Sequence, residues 1–444
     1  MSDGKILVRF APSPTGWIHV GNVRTALMNY LFAKHHGGEF MLRIDDTDLE
    51  RSKPEYEQGI QEDLKWLGLE WDVFAKQSDR FDRYALAKEK LIADGRLYAC
   101  YETADEIDVK RKMMASRGLP PLYDRSALKL TDADKQKFES EGRTPHYRFK
   151  MDHAPIIWDD MVRGKVEFDG AKISDPVLIR EDGVALFTLS TSVDDGELNI
   201  THIIRGEDHV SNTAVQVQIM EALGHKLPRF GHMALLKMKE GKISKREGGG
   251  DIRSLRNEGV FPLALSSYLA KIGTSDAIEL AESLKALTEQ FAIEKLGRAM
   301  ANYDPEELVR MNQKLLHHMS FADAKPLLDA TVTEEFWNQI RGNLKSLAEV
   351  KDWVELLHQP LTPVIEDAAF TDQAATMLPE GQWGEHSWDE FVNKVKEATG
   401  RKGKDLFMPL RMALTARHDG PELKALFALL GREKAQKRLM GKAA

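Results

Sequence analysis

The 444 residues contain a single cysteine, Cys100. No disulfide can form within the chain, and no zinc site with two or more thiolate ligands can be built. A reducing compartment fits that. Long apolar runs are missing as well; none approaches the roughly 18 residues that would read as a membrane span. The opening Met-Ser-Asp-Gly-Lys leads straight into a strand-like run, without the apolar core of a secretory leader. A cytoplasmic protein with no membrane role is therefore expected. Excess positive charge is absent too. The formal net charge of −8 excludes a globally basic protein, though not a local basic patch. Two phosphate-binding patterns are missing: no G-x-G-x-x-G follows a strand, and no G-x-x-x-x-G-K-[ST] occurs.

The remaining composition is that of an ordinary globular protein, 42% hydrophobic and 30% charged. The length suggests about three domains, large enough to bury a core without covalent staples. Lys5–Phe10 reads as a strand, and Ala11–Gly16, with two prolines and a glycine, breaks regular structure. Val23, Ala26, Leu27, Tyr30 and Leu31 then recur at helical spacing, with Asn22 as the expected N-cap and Gly37–Gly38 as the stop. Phe40, Leu42 and Ile44 suggest a second strand. Strand, helix, strand in so short a span predicts a βαβ unit and a parallel sheet. Helices are expected around Ile60–Leu67, stopped by Gly68, and Tyr84–Leu91, stopped by Gly95.

From Tyr98 to Leu189 the pattern changes to that of an insertion. A charged helical stretch, Glu106–Ser116, precedes Gly118–Pro121 and the short strand-like pieces Tyr147–Phe149, Ile156–Trp158 and Val177–Ile179. The α/β pattern returns with strand Ile200–Ile204, helix Thr213–Leu223 and strand Met233–Met238. After Gly250 helical patterns dominate, at Ala264–Ile272, Ala281–Gln290, Phe321–Leu328 and Leu423–Leu430. Residues 391–444 hold 13 Lys/Arg against 5 Asp/Glu. That basic region suggests a polyanionic partner, or else the solvated faces of ordinary helices.

Two segments carry chemistry. The first strand runs into Ala11-Pro12-Ser13-Pro14-Thr15-Gly16 and then Trp17-Ile-His19-Val-Gly21-Asn22, where a helix begins. A strand end facing a helix N-terminus is the usual anion site of an open parallel sheet. His19 can donate to a phosphate oxygen there, or simply cap the helix; Gly21 lets a nucleotide approach the backbone, and Asn22 adds an amide donor. The second segment is Lys242-Ile243-Ser244-Lys245-Arg246, followed by Glu247 and three glycines. A hydroxyl and three cations on a glycine-flanked loop can meet the charge that develops on a leaving diphosphate, or can form a solvated basic turn.

Together these segments resemble the His-Ile-Gly-His and Lys-Met-Ser-Lys-Ser motifs of class I aminoacyl-tRNA synthetases. Arg9–Gly16, Arg43-Ile-Asp-Asp-Thr-Asp48, Val193-Asp-Asp195, Arg205-Gly-Glu-Asp-His209 and Phe407–Thr415 are similar to bacterial glutamyl-tRNA synthetases, over essentially the whole chain. The resemblance implies an α/β chain with a Rossmann-like parallel-sheet catalytic domain, an inserted α+β acceptor-binding domain and an all-helical anticodon-binding region. The implied boundaries are 1–97 and 190–250 for the catalytic domain, 98–189 for the insertion, 251–320 for a stem-contact domain and 321–444 for the anticodon domain. It further implies ATP-dependent attachment of glutamate to tRNA-Glu through an adenylate, with tRNA-Gln left open, and a monomer.

The resemblance assigns ATP to His19, Gly21, Asn22, Ser244 and Lys245, with His19 and Lys245 catalytic. It places Arg9, Ala11, Ser13, Asp45, Phe187, Thr191 and Arg205 in the glutamate pocket. Arg205 is expected to choose glutamate over glutamine by pairing bidentately with the side-chain carboxylate. Three positions depart from the family: Asp45 where Glu is frequent, Phe187 where Tyr is common, and Thr191 where some members have Asn. Magnesium is expected with ATP, held largely through phosphate and water. Some members bind zinc through a cysteine cluster in the insertion; Cys100 has no companion cysteine, so no zinc is expected. The rival readings are a glutaminyl-tRNA synthetase and a non-catalytic tRNA-binding paralogue.

Overall fold

Strand β1 (Leu7–Phe10) lies at the centre of a five-stranded, all-parallel sheet in the computed structural model, which describes residues 5–118, 120–238 and 251–444. Helix α1 (Val20–His35) carries the chain over to β2 (Glu39–Ile44), which pairs with β1 in the register Val8 to Phe40. Helix α2 (Pro54–Trp66) leads to β3 (Val73–Lys76) at the sheet edge, and α3 (Phe81–Ala93) follows. The expected glycine stops hold: Gly68 at φ +75° and Gly95 at φ +68° take the left-handed conformation that ends a helix. Val8, Phe10, Phe40, Met41, Leu42 and Ile44 are all buried. Both faces of the sheet are covered, so these strands are near-continuously apolar rather than alternating.

The chain then leaves the sheet. Strands β4 (Leu97–Cys100), β5 (His146–Phe149) and β8 (Val177–Ile179) form an antiparallel sheet, and β6 (Pro155–Asp160) with β7 (Gly164–Asp169) form a hairpin. Helices α4 (Ala104–Ser116) and α5 (Asp132–Ser140) start at Thr103 and Thr131, each closing a capping box with the acidic residue three places on. The return to the main sheet runs through α6 (Phe187–Glu197), β9 (His202–Gly206), α7 (Val210–Leu223) and β10 (Arg229–Met233), completing the order β10-β9-β1-β2-β3.

Several expectations need correction. Helix α1 begins at Val20 with His19 as its N-cap, not at Asn22. The strand expected over Met233–Met238 is two elements: β10 ends at Met233, and β11 (Leu236–Met238) pairs in parallel with β12 (Ala301–Tyr303) instead. Three residues are too few to show a period, so β12 gave no sign in the sequence. Helix α6 was also missed. It spans the expected 189/190 junction, is rich in Thr, Ser and Asp, and is buried from Leu189 to Asp195 with no polar stripe. The helix expected over Phe321–Leu328 stops at Ala324, and a 3₁₀ turn over Lys325–Leu327 follows. Pro326 has no N–H with which to continue it.

Backbone contacts divide the chain into Met1–Ser254 with Ser266–Asp304, and Leu255–Leu265 with Pro305–Ala444. The second unit is helical. Its longer helices are Pro305–His318, Glu385–Thr399, Lys404–Thr415 and Leu423–Leu439, the last kinked at Gly431. Trp337, Trp353, Phe391 and Phe427 fill its core. Among the described residues no helix is long and apolar enough to cross a membrane.

Candidate active site

The loop after β1 is tied to the loop after β2: Asp45 N–H donates to Pro12 O at 3.0 Å and Lys53 N–H to Pro14 O at 3.0 Å. At its end, His19 Nδ1 accepts the Gly21 N–H at 3.1 Å, while Asn22 Oδ1 accepts the His19 N–H at 3.1 Å. This is a capping box in which His19 and Asn22 satisfy two helix-terminal donors. Because Nδ1 accepts, the ring proton sits on Nε2, which is left to donate. Burial lowers the His19 pKa and favours that neutral ring. Gly21 has a local reason to be glycine, because a Cβ there would meet the His19 ring at 2.9 Å.

Asp251 forms a backbone bridge with His19, and Ile252 N–H donates to Ile18 O at 3.2 Å. The Arg253 guanidinium stacks 3.5 Å over the Trp17 ring. Residues just beyond the second motif therefore lie against the first. Lys242, Ile243, Ser244, Lys245 and Arg246 themselves lie outside the described residues.

Beneath the loop is a buried charge network. Arg9 donates through Nε and Nη2 to the two oxygens of Asp195 at 3.1 and 3.2 Å. Arg43, completely buried, grips Asp45 at 2.7 and 3.2 Å and reaches Asp195 Oδ1 with Nη1 at 2.7 Å. Asp194 takes Gln77, Arg80 and the Tyr84 hydroxyl at 2.7 to 2.9 Å. Burial would raise the Asp195 carboxyl, but Arg9 and Arg43 together hold it below the usual range. At Asp45 burial wins over Arg43, and the carboxyl is pushed up to about 6.

Arg205, on β9, sits in a second network. The parallel register places it beside His232 on β10. Its Nη2 donates to Thr213 Oγ1 and Gln216 Oε1, both at 2.6 Å, and its Nε to His232 Nε2 at 3.3 Å. Nη1 is buried without a hydrogen-bond partner among the described residues. Nη2 is thus engaged twice within the protein, so a bidentate grip through Nη1 and Nη2 would displace an existing bond. Burial in this setting lowers the guanidinium pKa to about 9.

A cleft of about 830 Å³ collects Ser13, Asp45 and Phe187, with Gln77, Tyr84 and Arg180 among its other walls. The Phe187 ring lies 5.6 Å from the His209 ring, centroid to centroid. Arg9, Ala11, Thr191 and Arg205 do not line this cleft. Thr191 is buried on α6, and its hydroxyl has no hydrogen-bond partner among the described residues. Sequence reasoning gave no role to Asp194, Asp160 or His232. The adjacent acids of Val193-Asp-Asp195 were a visible sign; nothing marked Asp160 or His232.

Among the described residues no group of three or more His, Cys, Asp or Glu is placed to hold a metal ion. Cys100 is buried, receives the Tyr123 hydroxyl at 3.7 Å, and burial pushes its thiol up to about 12. The nearby Glu102 Oε1 already accepts from Tyr123, Ser126 and the Lys110 ammonium at 2.8 to 3.1 Å. One protonated thiol beside a carboxylate that carries an ammonium does not fit a zinc ion.

Residues 5–310 match the family described as tRNA synthetases class I (E and Q), catalytic domain, and residues 307–441 match an anticodon binding domain. Among curated relatives, glutamate–tRNA ligase 1 of Maricaulis maris is 54% identical over 442 residues, covering 98% of this chain and 99% of that one. Glutamate–tRNA ligase of Azospirillum brasilense is 52% identical over 445 residues, covering 99% and 100%. A crystal structure of a glutamate tRNA ligase from Elizabethkingia meningosepticum, in complex with its amino acid, superposes with a TM-score of 0.76 at 28% identity, covering 98% of both chains. Glutamate-tRNA synthetase from Elizabethkingia anophelis gives 0.75 at 28% identity, covering 98% and 99%.

Proposed function

This chain belongs to the class I tRNA synthetases of the E and Q type, and from that premise we infer that it is a glutamate–tRNA ligase. It joins L-glutamate to the 3′ end of tRNA-Glu through a glutamyl-adenylate, releasing AMP and diphosphate. The glutaminyl and non-catalytic readings are not favoured, since full-length relatives at about half identity carry the glutamate name.

The chemistry needs no protein nucleophile. The glutamate α-carboxylate attacks the α-phosphorus of ATP and expels diphosphate; the 2′-hydroxyl of the terminal adenosine then attacks the mixed anhydride. Positioning of two anions and cationic stabilisation supply the rate. We assign the His19 Nε2–H to a phosphate oxygen, because the capping bond at Nδ1 leaves that donor free. Gly21, Asn22, Ser244 and Lys245 complete the ATP site in this reading. Magnesium would arrive with the ATP phosphates and would neutralise part of their charge there. The zinc-free reading rests on the donor set around Cys100. The domain boundaries given above are kept as the working division, with the acceptor end on the insertion and the anticodon on the helical region.

The observation that carries glutamate is the buried Nη1 of Arg205, a charged donor with no hydrogen-bond partner among the described residues. Glutamate supplies an anion for it, whereas glutamine leaves the guanidinium desolvated and unpaired. Arg9, Ala11, Ser13, Asp45, Phe187 and Thr191 form the rest of the pocket in this reading, with Asp45 meeting the substrate ammonium. The test is kcat/KM for glutamate and glutamine, with tRNA-Glu and tRNA-Gln transcripts, in the wild type and Arg205→Ala. The variant should collapse glutamate use and narrow the gap between the two amino acids. An unchanged glutamate preference would remove Arg205 as the discriminator, and a wild type that charges only glutamine would overturn the function itself.

A further inference from the structure

The Arg205 network contains a pair that the reaction scheme leaves without a task. His232 Nδ1 lies 2.5 Å from Asp160 Oδ2, and both side chains are fully buried. Asp160 is held in turn: its Oδ1 accepts the backbone N–H groups of Val162, Arg163 and His232, each at 3.0 Å. The carboxylate is acceptor-only, so the imidazole must carry its proton on Nδ1. Nε2 is then a lone pair, and it receives the Thr213 hydroxyl at 2.8 Å and Arg205 Nε at 3.3 Å. Were the proton on Nε2 instead, an N–H would point at Nε–H of the buried Arg205 cation, and the Nδ1 lone pair would face the Asp160 carboxylate.

We propose that Asp160 and His232 are positioning residues for amino-acid recognition: the Asp160 carboxylate fixes the His232 tautomer, and that tautomer fixes the Arg205 guanidinium so that Nη1 faces substrate. The arrangement has three further supports. Register places His232 and Arg205 side by side on β10 and β9, so the contact is built into the sheet. Thr213 and Gln216, three residues apart on α7, hold Nη2 from the other side. The guanidinium therefore has donors fixed at Nε and Nη2, and only Nη1 stays unmade. Gln216 fits the same logic. Its oxygen must face the donor-only guanidinium, which turns its amide nitrogen away, and that nitrogen is buried without a partner among the described residues.

The proposal rests on the glutamate-activating reading, and its test separates the two. Asp160→Asn keeps an oxygen for the three backbone donors but presents an amide N–H to His232 Nδ1, moving the ring proton to Nε2. The expected result is a glutamate KM raised at least about tenfold, a glutamate-to-glutamine ratio of kcat/KM lowered by at least about tenfold, and an ATP KM unchanged within about twofold. His232→Gln can place an amide oxygen where Nε2 stood. The double variant Asp160→Asn with His232→Gln should therefore recover glutamate KM relative to Asp160→Asn alone, which simple loss of packing cannot produce. Nitrogen-15 spectra of histidine-labelled enzyme give a readout independent of activity: a protonated Nδ1 at His232 in the wild type, and a protonated Nε2 in Asp160→Asn. An unprotonated Nδ1 in the wild type, an unchanged KM in a folded Asp160→Asn, or a double variant no better than the single one would overturn the proposal. Failure of the wild type to activate glutamate would instead strike the functional reading, leaving the tautomer result to judge the pair.

Discussion

Replacing Asp195 with asparagine tests whether the charge network beneath the active-site loop is as demanding as its burial implies. Asp195 is 2% exposed and stands between Arg9, 5% exposed, and Arg43, which is not exposed at all. It accepts one bond from Arg43 at 2.7 Å and two from Arg9 at 3.1 and 3.2 Å. Asparagine keeps one acceptor and turns an amide N–H toward a guanidinium. Arg43 retains Asp45, but Arg9 loses its carboxylate while remaining out of water. Breaking a buried pair in this way costs about 3–5 kcal/mol, because one charge is left uncompensated. For a unit of about 290 residues each kcal/mol moves the midpoint by about 1.6 °C, so the fall should be on the order of 5–8 °C. Scanning calorimetry is the suitable assay, since two structural units need not melt together. Asp94→Asn, which removes the exposed Lys90 to Asp94 pair, is the control and should lower stability by less than about 1 kcal/mol. If Asp195→Asn shifts the transition no more than Asp94→Asn does, the reasoning from burial is refuted.

Two further outcomes follow from other parts of the molecule. Cys100, buried with its thiol pushed up to about 12, should resist a thiol-specific disulfide reagent at pH 8 in the native enzyme and react fully once unfolded; prompt native labelling, or about one zinc per chain by elemental analysis, would show that the insertion has been misread. Because burial pushes the Asp45 carboxyl up to about 6, it is ionised above that pH and neutral below it. Glutamate KM should therefore rise as pH falls through 6, and Asp45→Asn should flatten the profile while raising KM throughout; a wild-type KM flat between pH 5 and 7 would remove Asp45 as the ammonium partner.

The parallel sheet was legible because β1, α1 and β2 follow one another with strong apolar runs and glycine stops. The interruption between Tyr98 and Leu189 was legible because short β-rich pieces replaced that rhythm. Element ends and polar interiors were harder. Asn22 reads as an N-cap by residue type, yet the structure gives the cap to His19, because its ring nitrogen reaches the Gly21 N–H while Asn22 closes the box from the third helical position. Helix α6 hides its period because Asp194 and Asp195 are buried, a choice made by arginines more than a hundred residues away in sequence. Asp160 and His232, 72 residues apart, were likewise concealed until the fold brought them together. The residues that matched a motif were visible, whereas those that hold them in place become visible only once the chain is folded.

The strand order has a consequence for synthesis. Strand β1 is central, but its neighbour β9 begins at His202, so the first three strands leave the ribosome with one flank of β1 unpaired. At ordinary elongation rates the intervening roughly 190 residues take about 10–40 s to appear. During that interval Val8 and Phe10, buried in the finished protein, belong to an open edge of apolar strand, the kind that pairs with other chains. The antiparallel pieces between Leu97 and Ile179 join neighbours much closer in sequence and can assemble while β1 waits. Growing chains should accordingly be at greatest risk of aggregation after β3 has emerged and before β9 arrives, and a fragment ending short of His202 carries that exposed edge permanently.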